Sequence, residues 1–188
     1  MEKYITSYFQ NDIEKILQRM EKARVVIMEN KEKPMSEISL FDAITMSGSG
    51  LFSPQKRTGF LEDKMRCIFS WRKVKATENK GDYIDCSGKY FELKCSSTND
   101  SNTINILQIR PWQDVDYYRV VYFNLDDSSK SKSYILTKSD MLSEIEKNGN
   151  AIHGTKDANK GNNKIEYAIH LPIENEWDSL YLDETFFK

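Results

Sequence analysis

The sequence predicts an α/β fold in which a central mixed β-sheet is flanked by helices. Helical patterns fill the first part of the chain, short strand-like segments fill the middle, and helical patterns return near the end. This order favours an α/β sandwich around one sheet. The 188 residues, 39% hydrophobic and 12% aromatic, suffice for one domain with a substantial core. We expect a helical part over about 1–70, a sheet over about 71–137, and a C-terminal loop and helices over about 138–188.

Hydrophobic periodicity places the individual elements. Apolar residues recur at spacings of three and four from Tyr8 to Glu29, which predicts an amphipathic helix. A second helix is expected over 36–45, and a third over 60–70 with Thr58 as its candidate N-cap. A Gly- and Ser-rich loop separates these two helices. The predicted strands are 73–76, 82–86, 89–97, 105–109, 118–125, 134–136 and 166–170, and two more helices are expected over 138–147 and 174–186.

The overall charge gives no support to DNA binding by bulk electrostatics. The formal net charge is -2, whereas proteins that coat DNA are usually strongly basic. The charge is uneven, however, because residues 55–75 contain seven basic side chains and two acidic ones. Any contact with nucleic acid must therefore be local.

Two further features bear on the cellular compartment. The chain begins without a signal-like segment and has no run of eighteen apolar residues, so we expect a cytoplasmic protein. The three cysteines, Cys67, Cys86 and Cys95, form no C-x-x-C pair. We interpret them as buried thiols, because an odd number without metal-ligand spacing favours neither disulfides nor a zinc site.

The segment from Gly81 to Ser97 carries the predicted chemistry. Side chains alternate along a strand, so Glu92, Lys94 and Ser96 share one face and the apolar residues between them share the other. A hairpin turn at Ser87-Gly88 would bring Asp82 beside Glu92. Two carboxylates supply the hard oxygen ligands that Mg²⁺ prefers, and a nearby lysine stabilises negative charge on a phosphate or orients the attacking water.

This arrangement resembles the PD-(D/E)XK nuclease superfamily, whose signature is an acidic residue, a β-hairpin and then (D/E)-x-K. Asp82 matches the first acidic position, Glu92 the second and Lys94 the lysine. Gly81 stands where the name-giving proline would be, and Gly-Asp is a frequent substitute in the family. Asp85 is the alternative for the first acidic position. The resemblance covers about residues 57 to 125.

The resemblance implies a restriction endonuclease-like fold and an Mg²⁺-dependent endonuclease, with Mn²⁺ as a substitute, that cuts double-stranded DNA. It favours a type II restriction enzyme acting as a homodimer, or one subunit of a heterodimer. A resolvase-like repair or recombination nuclease and a catalytically inactive DNA-binding domain are the alternatives. The resemblance also implies that Glu62, on the preceding helix, completes the metal shell; a solvated helix residue is the alternative there.

Residues that contact DNA are expected in several places. The loop over residues 47–57 combines small and basic side chains, and the polar loop that follows His153 is long enough to reach base edges. A flexible connector and a disordered surface loop are the alternative interpretations of these two segments. The candidates are Ser49, Gln55, Lys56, Arg57, Ser96, Arg110, His153, Lys156 and Lys160.

Overall fold

The structure is a computed structural model that describes residues 2–48, 53–75, 77–98, 103–152 and 165–187. It is a mixed α/β protein with a five-stranded mixed sheet flanked by helices, as the sequence predicts, and with a second sheet of three strands. The helices are α1 (Glu2–Asn30), α2 (Leu40–Ser47), α3 (Pro54–Ile68), α4 (Lys138–Asn148) and α5 (Trp177–Leu180). The strands are β1 (Arg72–Lys73), β2 (Tyr83–Ile84), β3 (Tyr90–Thr98), β4 (Thr103–Ile109), β5 (Tyr117–Asn124), β6 (Lys132–Thr137), β7 (Asn150–Ile152) and β8 (Glu166–Pro172).

The main sheet has the order β1-β2-β3-β5-β6. The first three strands form an antiparallel meander, β3 and β5 run parallel, and β6 returns antiparallel to β5. Parallel neighbours need a crossover connection, and this crossover contains β4, which pairs with β8 in the second sheet. The chain between β3 and β5 therefore brings the second sheet over one face of the first.

Two apolar cores lie on opposite faces of the main sheet. Phe91, Leu93 and Phe123 belong to the core that also contains residues of α2 and α3. Tyr118 and Val120 belong to the other core, which also contains residues of β4, β8 and α4. Because neighbours along β3 alternate between faces, Glu92, Lys94 and Ser96 lie on the face that the second sheet covers.

Helix α1 carries an exposed apolar stripe. It packs against α2, and its Ala23 and Asn30 are buried. Six of its large apolar side chains are each 46–59% exposed: Ile13, Ile16, Leu17, Met20, Val25 and Met28. None of the described helices is long and apolar enough to cross a membrane.

The structure corrects the predicted start of the third helix. Helix α3 begins at Pro54, and the Ser53 hydroxyl accepts a hydrogen bond from the Lys56 amide at 3.4 Å. Proline suits the first helical position because its missing N–H has no partner there in any case. Ser53 is therefore the N-cap in place of Thr58, and Lys56 and Arg57 lie in a helix and not in a loop.

The predicted C-terminal helix over 174–186 is wrong, because only Trp177–Leu180 is helical. The chain then runs beside the edge strand β6, where Leu182 bridges Tyr134 and the Asp183 amide donates to the Ser133 carbonyl at 2.7 Å. Leu182 packs against one core and Phe186 belongs to the other. The apolar residues of this segment are spaced as in a helix. They pack against two cores instead, because the segment passes from one face of the sheet to the other.

The seven predicted strands are present with shifted ends, and β7 is an additional short strand.

The prediction of buried thiols is wrong for two of the three cysteines. Cys67 on α3 and Cys86 in the β2–β3 turn are exposed, and Cys95 is half-buried. Both exposed cysteines face solvent, and the neighbouring apolar residues of α3 and of the hairpin strands form the core instead.

Candidate active site

The β2–β3 hairpin places the two predicted metal ligands opposite each other. Tyr83 pairs with Phe91 and Ile84 with Tyr90, so the next step of the same register pairs Asp82 with Glu92. The Asp82 amide donates to the Phe91 carbonyl at 2.9 Å, and one Asp82 carboxylate oxygen, Oδ2, accepts from the Leu93 amide at 3.0 Å. The predicted hairpin is confirmed, and it fixes the Asp82 carboxylate beside the strand that carries Glu92.

Gly81 is required by the backbone that precedes Asp82. Its φ of +78° is a left-handed conformation, and a Cβ there would lie 2.6 Å from the Phe91 carbonyl oxygen and 2.8 Å from Val115 Cγ1. Proline is restricted to φ near −65° and cannot adopt this conformation. A glycine at this position therefore has a local structural cause.

Glu92 and Lys94 form a buried ion pair on β3. The Lys94 Nζ lies 2.7 Å from Glu92 Oε1, and the two side chains are 13% and 1% exposed. The other carboxylate oxygen, Glu92 Oε2, is buried without a hydrogen-bond partner among the described residues. Burial raises the pKa of Glu92, while Lys94 opposes that rise and Asp82 adds to it. Burying a carboxylate oxygen without a hydrogen-bond donor lowers the stability of the fold. Glu92 Oε2 is therefore suited to bind a cation.

Glu62 on α3 lies near the same group. Burial raises its pKa to about 7; the negative charge of Asp82 adds to the rise, and the positive charges of Lys94 and Lys73 oppose it. The side chain is half-buried. Glu62 is therefore within electrostatic range of Asp82 and Lys94, and its place in a metal shell stays a prediction.

The alternative acidic residue, Asp85, is engaged in the hairpin turn. Its Oδ1 accepts from the Ser87 amide at 2.8 Å, the Ser87 hydroxyl at 2.7 Å and the Lys89 amide at 3.0 Å. Its Oδ2 accepts from the Tyr117 hydroxyl at 2.9 Å. Burial raises the pKa of Asp85, but these hydrogen bonds outweigh it and lower the pKa below its usual value. Asp85 thus stabilises the turn, and the geometry favours Asp82 as the first acidic residue.

The fit of the site to a magnesium ion depends on two carboxylates. Within the described ranges, no three His, Cys, Asp or Glu side chains lie close enough together to hold one metal ion. Mg²⁺ usually keeps several waters and binds one or two carboxylates together with substrate phosphate. Asp82 and Glu92 meet that requirement. Asp82 bonds the Leu93 amide through Oδ2 and Glu92 bonds Lys94 through Oε1, so each has a second carboxylate oxygen to offer a cation.

The predicted DNA-contacting residues have different surroundings. Lys56 is exposed, while Arg57 is half-buried and burial lowers its pKa. Ser96 is 7% exposed, and its hydroxyl accepts from the Asn105 amide at 3.0 Å. It ties β3 to β4 beneath the second sheet, so its prediction as a DNA contact is wrong. Ser49, His153, Lys156, Lys160 and the Gln55 side chain lie outside the described residues.

Arg110 pairs with a residue that the sequence prediction missed. Its Nε lies 2.9 Å from Oε1 of Glu166 at the start of β8. Glu166 is buried. The available signal was a single acidic residue directly after the long polar loop and before an apolar strand, which does not identify its partner 56 positions away.

In comparisons with known proteins, no family model matches the chain and no curated protein is significantly similar to it.

Proposed function

We propose that this protein is a magnesium-dependent endonuclease that hydrolyses double-stranded DNA, as a type II restriction endonuclease or a subunit of one. Mn²⁺ is expected to replace Mg²⁺. The observation that carries the proposal is the buried Glu92 carboxylate, which pairs with Lys94 through one oxygen and has no partner for the other among the described residues. Asp82 lies opposite it in the hairpin register.

Each residue of the site has a defined chemical task. Asp82 and Glu92 would hold the ion, which when bound polarises the scissile phosphate and lowers the pKa of a bound water. Lys94 keeps its ammonium beside the phosphate because Glu92 anchors it at 2.7 Å. There it stabilises the negative charge that develops on the phosphate or orients the attacking water, and its fixed position avoids reorganisation during the reaction. Glu62 adds a third negative charge near the ion.

A local basic surface supports DNA binding despite the net charge of -2. Strand β1 pairs with β2, next to the hairpin that carries the site. Its two residues, Arg72 and Lys73, are exposed, as are Lys75 after it and Lys56 on α3. Cations that contact phosphates provide affinity independent of sequence. This surface therefore offers DNA a binding area beside the carboxylates.

Cutting both strands requires two such sites, and we propose a homodimer through the apolar stripe of α1. Exposed apolar patches of this kind mark interaction sites, and a two-fold interface uses the same patch on both copies. Glu14 and Arg24 are both exposed and lie near the two ends of the stripe. An antiparallel pair of α1 helices centred near Arg19 would place Glu14 of one copy close to Arg24 of the other. A second, different subunit on the same stripe would instead make a heterodimer.

The test is cleavage of plasmid DNA by the full chain and by three variants, Asp82→Asn, Glu92→Gln and Lys94→Met. We expect cutting with Mg²⁺ or Mn²⁺, binding without cutting in Ca²⁺, and loss of cleavage in all three variants, whose folding is checked by circular dichroism. Asp63→Asn is the matched control, since it removes an exposed carboxylate of α3 next to Glu62, and it should cut normally.

The cleavage products separate the alternatives. Discrete fragments indicate a restriction enzyme, whereas cleavage confined to branched DNA indicates a resolvase. Retardation of DNA without cleavage in any metal indicates a DNA-binding domain and refutes the proposed activity. Wild-type activity in Glu92→Gln, or rapid cleavage in excess chelator, contradicts the assigned mechanism.

A further inference from the structure

A β-bulge in β4 sets which residue faces Glu166. From Ile104 to Ile106 the strand pairs with β8 in one register, with Ile106 opposite Ile169, but further on Ile109 lies opposite Tyr167. The first register, if continued, would place Ile109 opposite Glu166. The extra residue in the bulge places Arg110 there instead. Bulges commonly redirect side chains next to active sites.

The bulge contains a strained residue. Gln108 has a φ of +55°, a left-handed conformation that non-glycine residues rarely adopt. Such backbone strain persists only where the surrounding structure enforces it, and it is concentrated at functional sites. The bulge allows Ile106 and Ile109, which lie three residues apart, to face the same core, and it also sets Arg110 opposite Glu166.

Arg110 and Glu166 form a pair of unequal exposure. The Glu166 side chain is 8% exposed and that of Arg110 36% exposed. The arginine donates from Nε to Glu166 Oε1, while Glu166 Oε2 is buried without a partner in the described part of the chain. A guanidinium has five N–H donors in a planar fork. Binding through Nε therefore fixes its plane and leaves four donors at its outer end.

Two contacts place the backbone of Arg110 beside the candidate active site. The Tyr118 hydroxyl donates to the Arg110 carbonyl oxygen at 3.2 Å, and Tyr118 is the direct partner of Glu92 in the β3–β5 register. Arg110 thus lies at the border of the site, on the side of the second sheet.

We infer that Glu166 and the Gln108 bulge are positioning elements that aim Arg110 at a DNA phosphate next to the one that is cut. The inference rests on the proposed function. The planar fork of arginine matches two phosphate oxygens at once. Glu166 acts only through Arg110, since its free oxygen is buried and its charge would repel DNA. The second sheet thereby becomes part of the substrate-binding surface.

The test measures DNA binding in Ca²⁺, where no cutting interferes, as a function of salt concentration. Each phosphate contact contributes about 0.9 to the slope of log affinity against log salt on duplex DNA. We expect Arg110→Gln and Glu166→Gln each to lower that slope by about one, and the double variant to lower it no further. Arg110→Lys keeps the charge but loses the fork, and we expect it to weaken binding about tenfold.

Asp183→Asn is the matched control. Asp183 pairs with Arg119 at 2.8 Å, with side chains 15% and 12% exposed, but Arg119 lies over Trp71 and Phe186 of the other core. Removing that pair should lower the melting temperature and leave the salt slope unchanged. In Mg²⁺, the Glu166→Gln variant should show a higher KM with nearly unchanged kcat, as expected when binding of the ground state and of the transition state is weakened equally.

The outcomes distinguish this inference from the function on which it depends. Wild-type protein that neither binds nor cuts DNA overturns both. Wild-type protein that binds DNA, with an unchanged slope in Arg110→Gln or with Arg110→Lys binding as wild type, overturns only the inference. Additive losses in the double variant also overturn it, because they would mean that Glu166 does not act through Arg110.

Discussion

Neutralising Glu62 tests the electrostatics of the site without any substrate. Burial, together with the nearby Asp82, raises the pKa of Glu62 from 4.5 to about 7. The folded protein therefore holds the Glu62 proton more tightly than the unfolded chain does. Ionising Glu62 lowers the free energy of unfolding, so this contribution is most favourable below pH 4.5 and is lost as pH rises through 7. Glu62→Gln removes this dependence on pH.

The size of the effect follows from the pKa values. A displacement from 4.5 to about 7 corresponds to roughly 3 kcal/mol at about 1.36 kcal/mol per pKa unit. Glu62 is only half-buried, so solvent screening reduces the expected effect to roughly 1–2 kcal/mol. Between pH 4.5 and pH 8, Glu62→Gln should gain about that much stability relative to the wild type.

Urea unfolding in EDTA, at several pH values between 4.5 and 8.5, measures this difference. Comparing the two proteins at each pH cancels the titration of groups that both contain. At pH 8, Mg²⁺ should reduce the difference in the free energy of unfolding between Glu62→Gln and the wild type. A cation near Asp82 and Glu92 would stabilise the ionised form of Glu62 in the wild type. A difference that stays constant with pH would mean that folding does not raise the pKa of Glu62.

Two further predictions concern the hairpin and the assembly. Gly81→Ala should lower the free energy of unfolding by about 2 kcal/mol or more, because alanine disfavours the left-handed conformation and its Cβ would meet the Phe91 carbonyl. Gly59→Ala is its control, since open space surrounds that site in α3; equal losses in urea unfolding would contradict the argument. Leu17→Glu should convert the dimer to a monomer in light scattering, whereas Leu180→Glu, with the same 58% exposure on α5, should not. A wild-type monomer that only nicks plasmid would exclude the homodimer and indicate a separate partner subunit.

The part of the site that the sequence predicted is the part built by local contacts. Asp82, Glu92 and Lys94 lie within thirteen residues of one another, and one turn with strand alternation fixes their relation. Those rules require no knowledge of the rest of the fold. The N-cap of α3 was also local, but Thr58 and Ser53 are both acceptable caps and only the Pro54 that follows Ser53 distinguishes them.

The elements that sequence reasoning missed depend on contacts between distant segments. Glu166 meets Arg110 only because β8 pairs with β4, and the bulge that selects Arg110 has no glycine to reveal it. Ser96 shares the face of β3 that carries Glu92 and Lys94, yet the second sheet buries it, which alternation along one strand does not show. The C-terminal segment has helical spacing, but it packs against two cores on opposite sides of the sheet.

The buried acidic side chains of the site are an argument for the proposed cation that does not depend on the sequence pattern. Glu62, Asp82 and Glu92 contribute three carboxylates, and the basic side chains that lower the pKa of Glu62 are Lys94 and Lys73. Burial raises the pKa of both Glu62 and Glu92, so ionising them costs stability that a packed apolar strand would not lose. A divalent cation would offset this cost, and a phosphate group would restore the local balance of charge around Lys94 and Arg110. Under the proposed function, a bound metal ion and nucleic acid would therefore remove an electrostatic cost that the isolated chain carries.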